Sequence, residues 1–138
     1  SVGNAAGLVD KLNKQIKNVK ILLFGGPEEK VRNKKIKSAA KTKIIDAGCN
    51  NSLMEFSALI DLCNILVTSD SLALHIGVAL KKRIVAFFYV TSSTEIELYS
   101  RGIKVLGKGK DYCSYKSKCD YLPKWDIKKI VEAVKKLI

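Results

Sequence analysis

Two short apolar runs, Ile65-Leu66-Val67 and Ile84-Val85-Ala86-Phe87-Phe88, stand on either side of a stretch with helical character, and this constrains the fold more than anything else in the chain. The second run is nearly continuous in apolar residues, the mark of a strand covered on both faces. A strand, a helix of about ten residues and a second strand make a right-handed crossover, which sets the two strands parallel. The alternation continues along the chain. Spacing predicts helices over 4–17, 28–41, 52–63 and 71–80, and a last helix capped by Asp126. Strands are expected over 19–24, 43–46, 65–67, 83–88 and 104–106, and an irregular segment over 107–123. The expected fold is α/β, a parallel sheet with flanking helices, occupying residues 1–138 as a single domain.

A chain of 138 residues is long enough to bury a real core. Its longest apolar run, 84–90, is far shorter than the roughly 20 residues that span a bilayer. No secretory signal is visible, and a start at Ser1 fits a domain with sequence upstream. The four cysteines, Cys49, Cys63, Cys113 and Cys119, form no Cys-x-x-Cys pair and stand far from the single histidine, so a zinc site is not expected. Reduced thiols and a cytoplasmic home follow from the missing signal. The net charge of +12 points either to an anionic partner or to a lysine-rich solvated surface. The lysines fall on amphipathic helices without interleaved aromatic residues, which favours the solvated surface over a nucleic-acid groove.

In such a sheet, ligands bind beyond the carboxyl ends of the strands. Four loops qualify, over 25–29, 47–52, 68–71 and 89–95. The third is the most informative: Thr68-Ser69-Asp70-Ser71-Leu72-Ala73-Leu74-His75 reads as strand end, polar turn and helix start. Free backbone N–H groups and the helix dipole at such a start favour an anion. Ser71 and His75, four apart, share one helix face. The plainer reading makes Ser71 a helix-start residue, Asp70 its cap and His75 a structural histidine. Glu28 and Glu29 suit a first helical turn, and equally a carboxylate accepting from ribose hydroxyls. Ser52-Leu53-Met54-Glu55 has capping-box spacing, with Leu53, Phe56, Ile60 and Cys63 as that helix's apolar stripe. Thr91, Ser92, Ser93 and Thr94 can donate to phosphate or form a polar surface loop. Gly25-Gly26-Pro27-Glu28-Glu29-Lys30 is neither a Walker A loop nor a Gly-x-Gly-x-x-Gly turn, which argues against a dinucleotide dehydrogenase.

From Asn51-Ser52-Leu53-Met54-Glu55 through Asp70-Ser71-Leu72-Ala73-Leu74-His75 to Thr91, the chain resembles the donor-binding half of glycosyltransferase family 9. That family contains the ADP-heptose:lipopolysaccharide heptosyltransferases. Its hallmark is Asp-Thr/Ser-Gly-x-x-His opening a helix, then small residues, an apolar strand and Gly-Pro-Thr. Here Leu72 stands at the glycine, and Tyr89-Val90 precede Thr91 in place of Gly-Pro. The resemblance runs over about residues 19–101.

The resemblance implies the Rossmann-like C-terminal half of a GT-B enzyme, holding a nucleotide-diphosphate sugar and facing an N-terminal acceptor domain. By it Ser71, Leu72 and His75 meet the diphosphate and Asp70 lies near the donor sugar. Glu28 or Glu29 approaches the ribose, Asn51 and Ser52 the base, and Thr91 sits in the second phosphate loop. It implies inverting transfer of a sugar, heptose from ADP-heptose, to a lipopolysaccharide-type acceptor. The catalytic base lies in the N-terminal domain, so no catalytic residue is expected in this chain. Neither cofactor nor metal is expected, the nucleotide-sugar being a substrate. Expected partners are the donor, the acceptor domain and, peripherally, an anionic inner membrane; no nucleic acid is expected. A UDP-sugar transferase or epimerase of the same architecture, a basic nucleic-acid-binding domain and a regulatory nucleotide sensor are the alternatives at this stage.

Overall fold

The computed structural model describes residues 1–88, 91–107 and 126–138. Ser1 opens the first helix, α1 (Val2–Gln15), by accepting from the Asn4 N–H at 3.3 Å. That cap starts the helix two residues earlier than its apolar spacing predicts. Ala6, Leu8, Val9 and Leu12 form its buried stripe. Strands β1 (Leu22–Leu23) and β2 (Ile45–Asp46) pair in parallel, Leu22 with Ile45 and Leu23 with Asp46. Both are shorter than the expected 19–24 and 43–46. The ladder stops at Asp46 because its carboxylate accepts from the Gly48 N–H at 3.1 Å, closing a turn in which Gly48 takes φ +81°.

The helix expected over 28–41 is two pieces. Pro27–Glu29 forms one turn of 3₁₀ helix, closed by Glu29 N–H to the Gly26 carbonyl at 3.0 Å, and α2 covers Lys30–Ala39. The Glu29 carboxylate reaches back to the Gly26 N–H at 3.1 Å, which tightens this turn. A Cβ on Gly25 would collide with that carboxylate, so the glycine permits the fold-back. Val9, Ile36 and Ile44 make the buried cluster here, with Val2, Ala5, Ile21, Leu23 and Ala40 packed on it. Phe24 and Phe56 meet edge to face, centroids 5.4 Å apart.

Helix α3 (Leu53–Leu62) starts at the expected capping box: Glu55 N–H donates to Ser52 Oγ at 3.3 Å and Ser52 N–H to Glu55 Oε2 at 2.8 Å. The expected apolar stripe is incomplete. Ile60 is fully buried, but Leu53 in the capping turn is 60% exposed, and Phe56 and Cys63 are only partly buried.

The chain divides into two units, Ser1–Leu59 and Ile60–Ile138. The second holds β3 (Ile65–Ser69), α4 (Leu72–Ala79), β4 (Arg83–Phe88), β5 (Gly102–Leu106) and α5 (Ile127–Lys136). The order is β3-β4-β5, all parallel, with β4 in the centre. Residues 84–88 of β4 are all buried, as their unbroken apolar run predicts. Gly77 lets α4 lie close on the sheet: a Cβ there would stand 2.6 Å from Leu66 Cδ2 and 3.2 Å from Ile84 Cδ1. Asp126 caps α5 by accepting from Lys129 N–H at 3.1 Å, and Ile130, Val131, Ala133 and Val134 are its buried face.

No helix among the described residues is long and apolar enough to cross a membrane. The expectations for 108–123, including Cys113 and Cys119, and for Tyr89 and Val90 lie outside the described residues.

Candidate functional site

The turn from β3 into α4 is built by hydroxyls. Ser71 is the N-cap of α4, yet its side chain does not cap the helix. Its Oγ lies 3.0 Å from Thr68 Oγ1 and 3.2 Å from the Ser69 carbonyl, which Thr68 Oγ1 also approaches at 3.1 Å. Two hydroxyl protons are thus shared among three contacts, all directed back to the strand. Leu74 N–H and His75 N–H close on the Ser71 carbonyl at 3.0 and 3.4 Å. The N–H groups of Leu72 and Ala73 have no partner among the described residues. Open amides at a helix start, with the dipole behind them, are the donors an anion uses.

Around those amides stand three side chains. His75 Nε2 is 3.9 Å from Asp70 Oδ1, with the imidazole 63% exposed and the carboxylate 27%. A contact this long and this wet holds neither group fixed. The Asp70 carboxylate therefore remains able to accept from a sugar hydroxyl and the imidazole to donate to an oxyanion. Leu72 is 60% exposed, an apolar side chain at the first helical position beside the open amides.

β4 is the direct neighbour of β3, with Ser69 in register with Phe87. The loop after β4 therefore leaves the sheet by the same edge as the turn into α4. It carries Thr91, half-buried and without a hydrogen bond among the described residues. Ser92 Oγ and Thr94 Oγ1 are 2.6 Å apart, and Thr94 N–H donates to Ser92 Oγ at 3.3 Å. Ser93 is buried, and its carbonyl accepts from Lys104 Nζ at 2.7 Å.

In the first unit the structure separates the two acidic candidates. Glu29 is committed to the Gly26 N–H and to an ion pair with Arg32, whereas Glu28 is exposed and unpaired among the described residues. Of the two carboxylates, Glu28 is therefore the uncommitted one. Ser52 is likewise committed, its N–H and Oγ both bonded to Glu55 Oε2 at 2.8 Å. The backbone N–H of Ser52 first, then its hydroxyl, holds the Glu55 carboxyl below its ordinary range. Asn51 Nδ2 donates to the carbonyls of Ala47 at 3.1 Å and Gly48 at 3.5 Å. It lines a surface cavity of about 640 Å3 with Lys30, Asn33, Lys37, Asp46 and Cys49. A second cavity of about 780 Å3 lies at the opposite, N-terminal ends of β1 and β2, rimmed by Lys14, Lys20, Lys41 and Lys43.

Cys63 is half-buried; burial pushes its thiol up and the nearby Lys82 ammonium offsets this only in part, so it stays protonated near neutral pH. Among the described residues no group of three or more His, Cys, Asp and Glu side chains is placed to hold a metal ion.

The structure thus gathers Asp70, Ser71, Leu72 and His75 at one helix start and sends the Thr91 loop off the same sheet edge. Glu28, Glu29, Asn51 and Ser52 stand on the loops after β1 and β2. Sequence reading missed Thr68 and Lys104. Thr68 had a visible signal, a hydroxyl ending an apolar strand three residues before Ser71. Lys104 had one too, a charge inside an otherwise apolar strand.

This fold is that of solved glycosyltransferases. The glycosyl transferase family 9 structure from Veillonella parvula DSM 2008 matches with a TM-score of 0.80 at 20% identity, covering 99% of this chain and 41% of that one. The E. coli ADP-heptose lps heptosyltransferase II matches with a TM-score of 0.77, also at 20% identity, over 99% of this chain and 41% of that one. The chain therefore spans about two fifths of the length of these structures. No curated protein matches it. The family model of glycosyltransferase family 9 (heptosyltransferase) matches residues 7–125. The chain belongs to glycosyltransferase family 9.

Proposed function

We propose that this chain is the nucleotide-sugar-binding part of an inverting glycosyltransferase that moves heptose from ADP-heptose to a lipopolysaccharide-type acceptor. The observation that carries the reading is the uncapped start of α4, where Ser71 turns away and leaves the amides of Leu72 and Ala73 open beside Asp70 and His75. Family membership and the two structural matches support the class of reaction.

In the proposed reaction an acceptor hydroxyl attacks the anomeric carbon, a base removes its proton, and the bond to the diphosphate breaks with its electron pair leaving on the nucleotide. Negative charge grows on the diphosphate as that bond lengthens. The open amides, the α4 dipole and a donor from His75 stabilise that charge, a preorganised electrostatic role that does not call for a metal. Asp70 accepts from the sugar; in the first unit, Glu28 is the carboxylate proposed for the ribose and Asn51 the amide proposed for the base. Thr91 donates to the diphosphate from the second loop.

The base belongs to an acceptor-binding domain outside residues 1–138, a placement supported by the chain's 41% share of its structural relatives. On this reading the chain alone binds donor without turning it over. The complete enzyme works in the cytoplasm, and its basic surface suits the anionic face of the inner membrane.

Calorimetric titration of the chain with ADP, UDP and GDP tests this. Saturable binding with ADP preferred, weakened about tenfold in His75→Ala by loss of one charge-assisted donor, is the expected result. Preference for UDP or GDP would move the donor to another nucleotide-sugar; binding of none would reject the reading.

A further inference from the structure

Lys104 sits inside β5, where a charged side chain is out of keeping with Ile103 and Val105 on either side. Its register partner on β4 is Ala86, which sets only a methyl group beside it on the shared face. The Lys104 ammonium reaches the Ser93 carbonyl at 2.7 Å, eleven residues back along the chain. Ser93 is buried, so its carbonyl would be costly to leave unpaired. Among the described residues this is the one hydrogen bond that reaches residues 91–97 from another element; the other bonds of that loop are local, between Ser92 and Thr94 and from Tyr99 N–H to the Glu97 carboxylate at 2.7 Å.

We infer that Lys104 is a positioning residue for the donor diphosphate, acting through Ser93 on the loop that carries Thr91. The inference rests on the donor-binding reading above. Without the lysine, residues 91–97 keep only bonds that are local in sequence. With it, a charge-assisted bond fixes the loop two residues from Thr91. Lys104 does not touch the ligand. It adds to affinity for the phosphate groups and contributes nothing to recognition of the base.

The test titrates the chain and its Lys104→Met and Lys104→Arg variants with ADP, AMP and adenosine, beside amide hydrogen exchange of residues 91–97. In Lys104→Met, ADP binding is expected to weaken about tenfold and adenosine binding to stay the same, with exchange over 91–97 faster by about the same factor. Lys104→Arg, which keeps a charged donor, should stay within about threefold of the parent for ADP. A merely structural lysine would shift ADP and adenosine together, and that result overturns the inference. Parent-like ADP binding by Lys104→Met overturns it alone and leaves the donor reading standing. A parent chain that binds none of the three ligands overturns the donor reading and this inference with it. Should Lys104→Met fail to fold by circular dichroism, Lys104→Gln is read against the same outcomes.

Discussion

Ser71 Oγ lies 3.0 Å from Thr68 Oγ1, so the N-cap residue of α4 directs its hydroxyl back to β3 and away from the helix it opens. A serine in this position ordinarily accepts from the second or third helical N–H. Here that bond is forgone, and the helix start is left electrostatically open. Stability and anion binding should therefore oppose one another at this position.

The substitution Ser71→Asp should make the opposition visible. A carboxylate here would cap the open amides and meet the positive end of the helix dipole, adding about 1 kcal/mol of stability. Tm should rise by about 4 °C for a chain of this size. The same carboxylate would occupy the anion's donors and repel a diphosphate, so ADP binding should be lost. Scanning calorimetry and titration on one preparation check both halves.

Leu72→Gly restores the family's residue at the first helical position. It removes an isobutyl group that is 60% exposed beside the open amides and lets the backbone come closer to an anion. ADP affinity should rise about fivefold, while the helix start loses up to about 1 kcal/mol from glycine's freedom in the unfolded chain. An affinity that falls would show that the leucine itself contacts the donor.

At Gly77 the expected effect is purely on packing. The substitution Gly77→Val would place its Cβ 2.6 Å from Leu66 Cδ2, between two elements whose interior offers no slack. Destabilisation of about 2–3 kcal/mol is expected, read as a lower urea midpoint at unchanged slope.

Acid sensitivity should come from three carboxylates in the first unit. At Asp10 burial pushes the carboxyl up, but bonds from the Lys41 and Thr42 N–H groups outweigh it and hold it low. Asp46 is held low by the Gly48 N–H first and then by Lys37. Glu55 is held low by Ser52. A folded value below the unfolded value of about 4 gives stability that is complete above the unfolded value and is lost as pH falls through the folded one. The urea midpoint should thus be flat from neutral pH to about 5 and fall below about 4. Asp10→Asn should flatten part of that acid limb; an unchanged limb would remove Asp10 from the account.

Much of this was legible in the sequence because the second unit obeys simple rules. The unbroken apolar run of β4 matches residues 83–88, and Asp126 announced its helix start as a side chain able to accept from the Lys129 N–H; in the first unit Ser52 did the same for Glu55. The first unit was less legible. Two-residue strands carry too short a pattern to read, and the helix after Gly26 was displaced by a Glu29 carboxylate folding back on its own turn. The candidate site was found as residue types at a spacing. What spacing could not show was commitment: Glu29 and Ser52 are tied into caps, whereas Glu28 and the amides of Leu72 and Ala73 are left open.

The brevity of β2 has a consequence for how the chain behaves at high concentration. Among the described residues β2 pairs only with β1, and Ile45 on it is 44% exposed. A longer apolar strand so placed would offer a neighbouring molecule a template for edge-to-edge growth. Two residues, ended by the Asp46 turn and overlain by the Lys37–Asp46 ion pair at 3.3 Å, give an incoming strand almost nothing to extend. The truncated ladder thereby acts as protection against aggregation, built from the same aspartate that ends the strand.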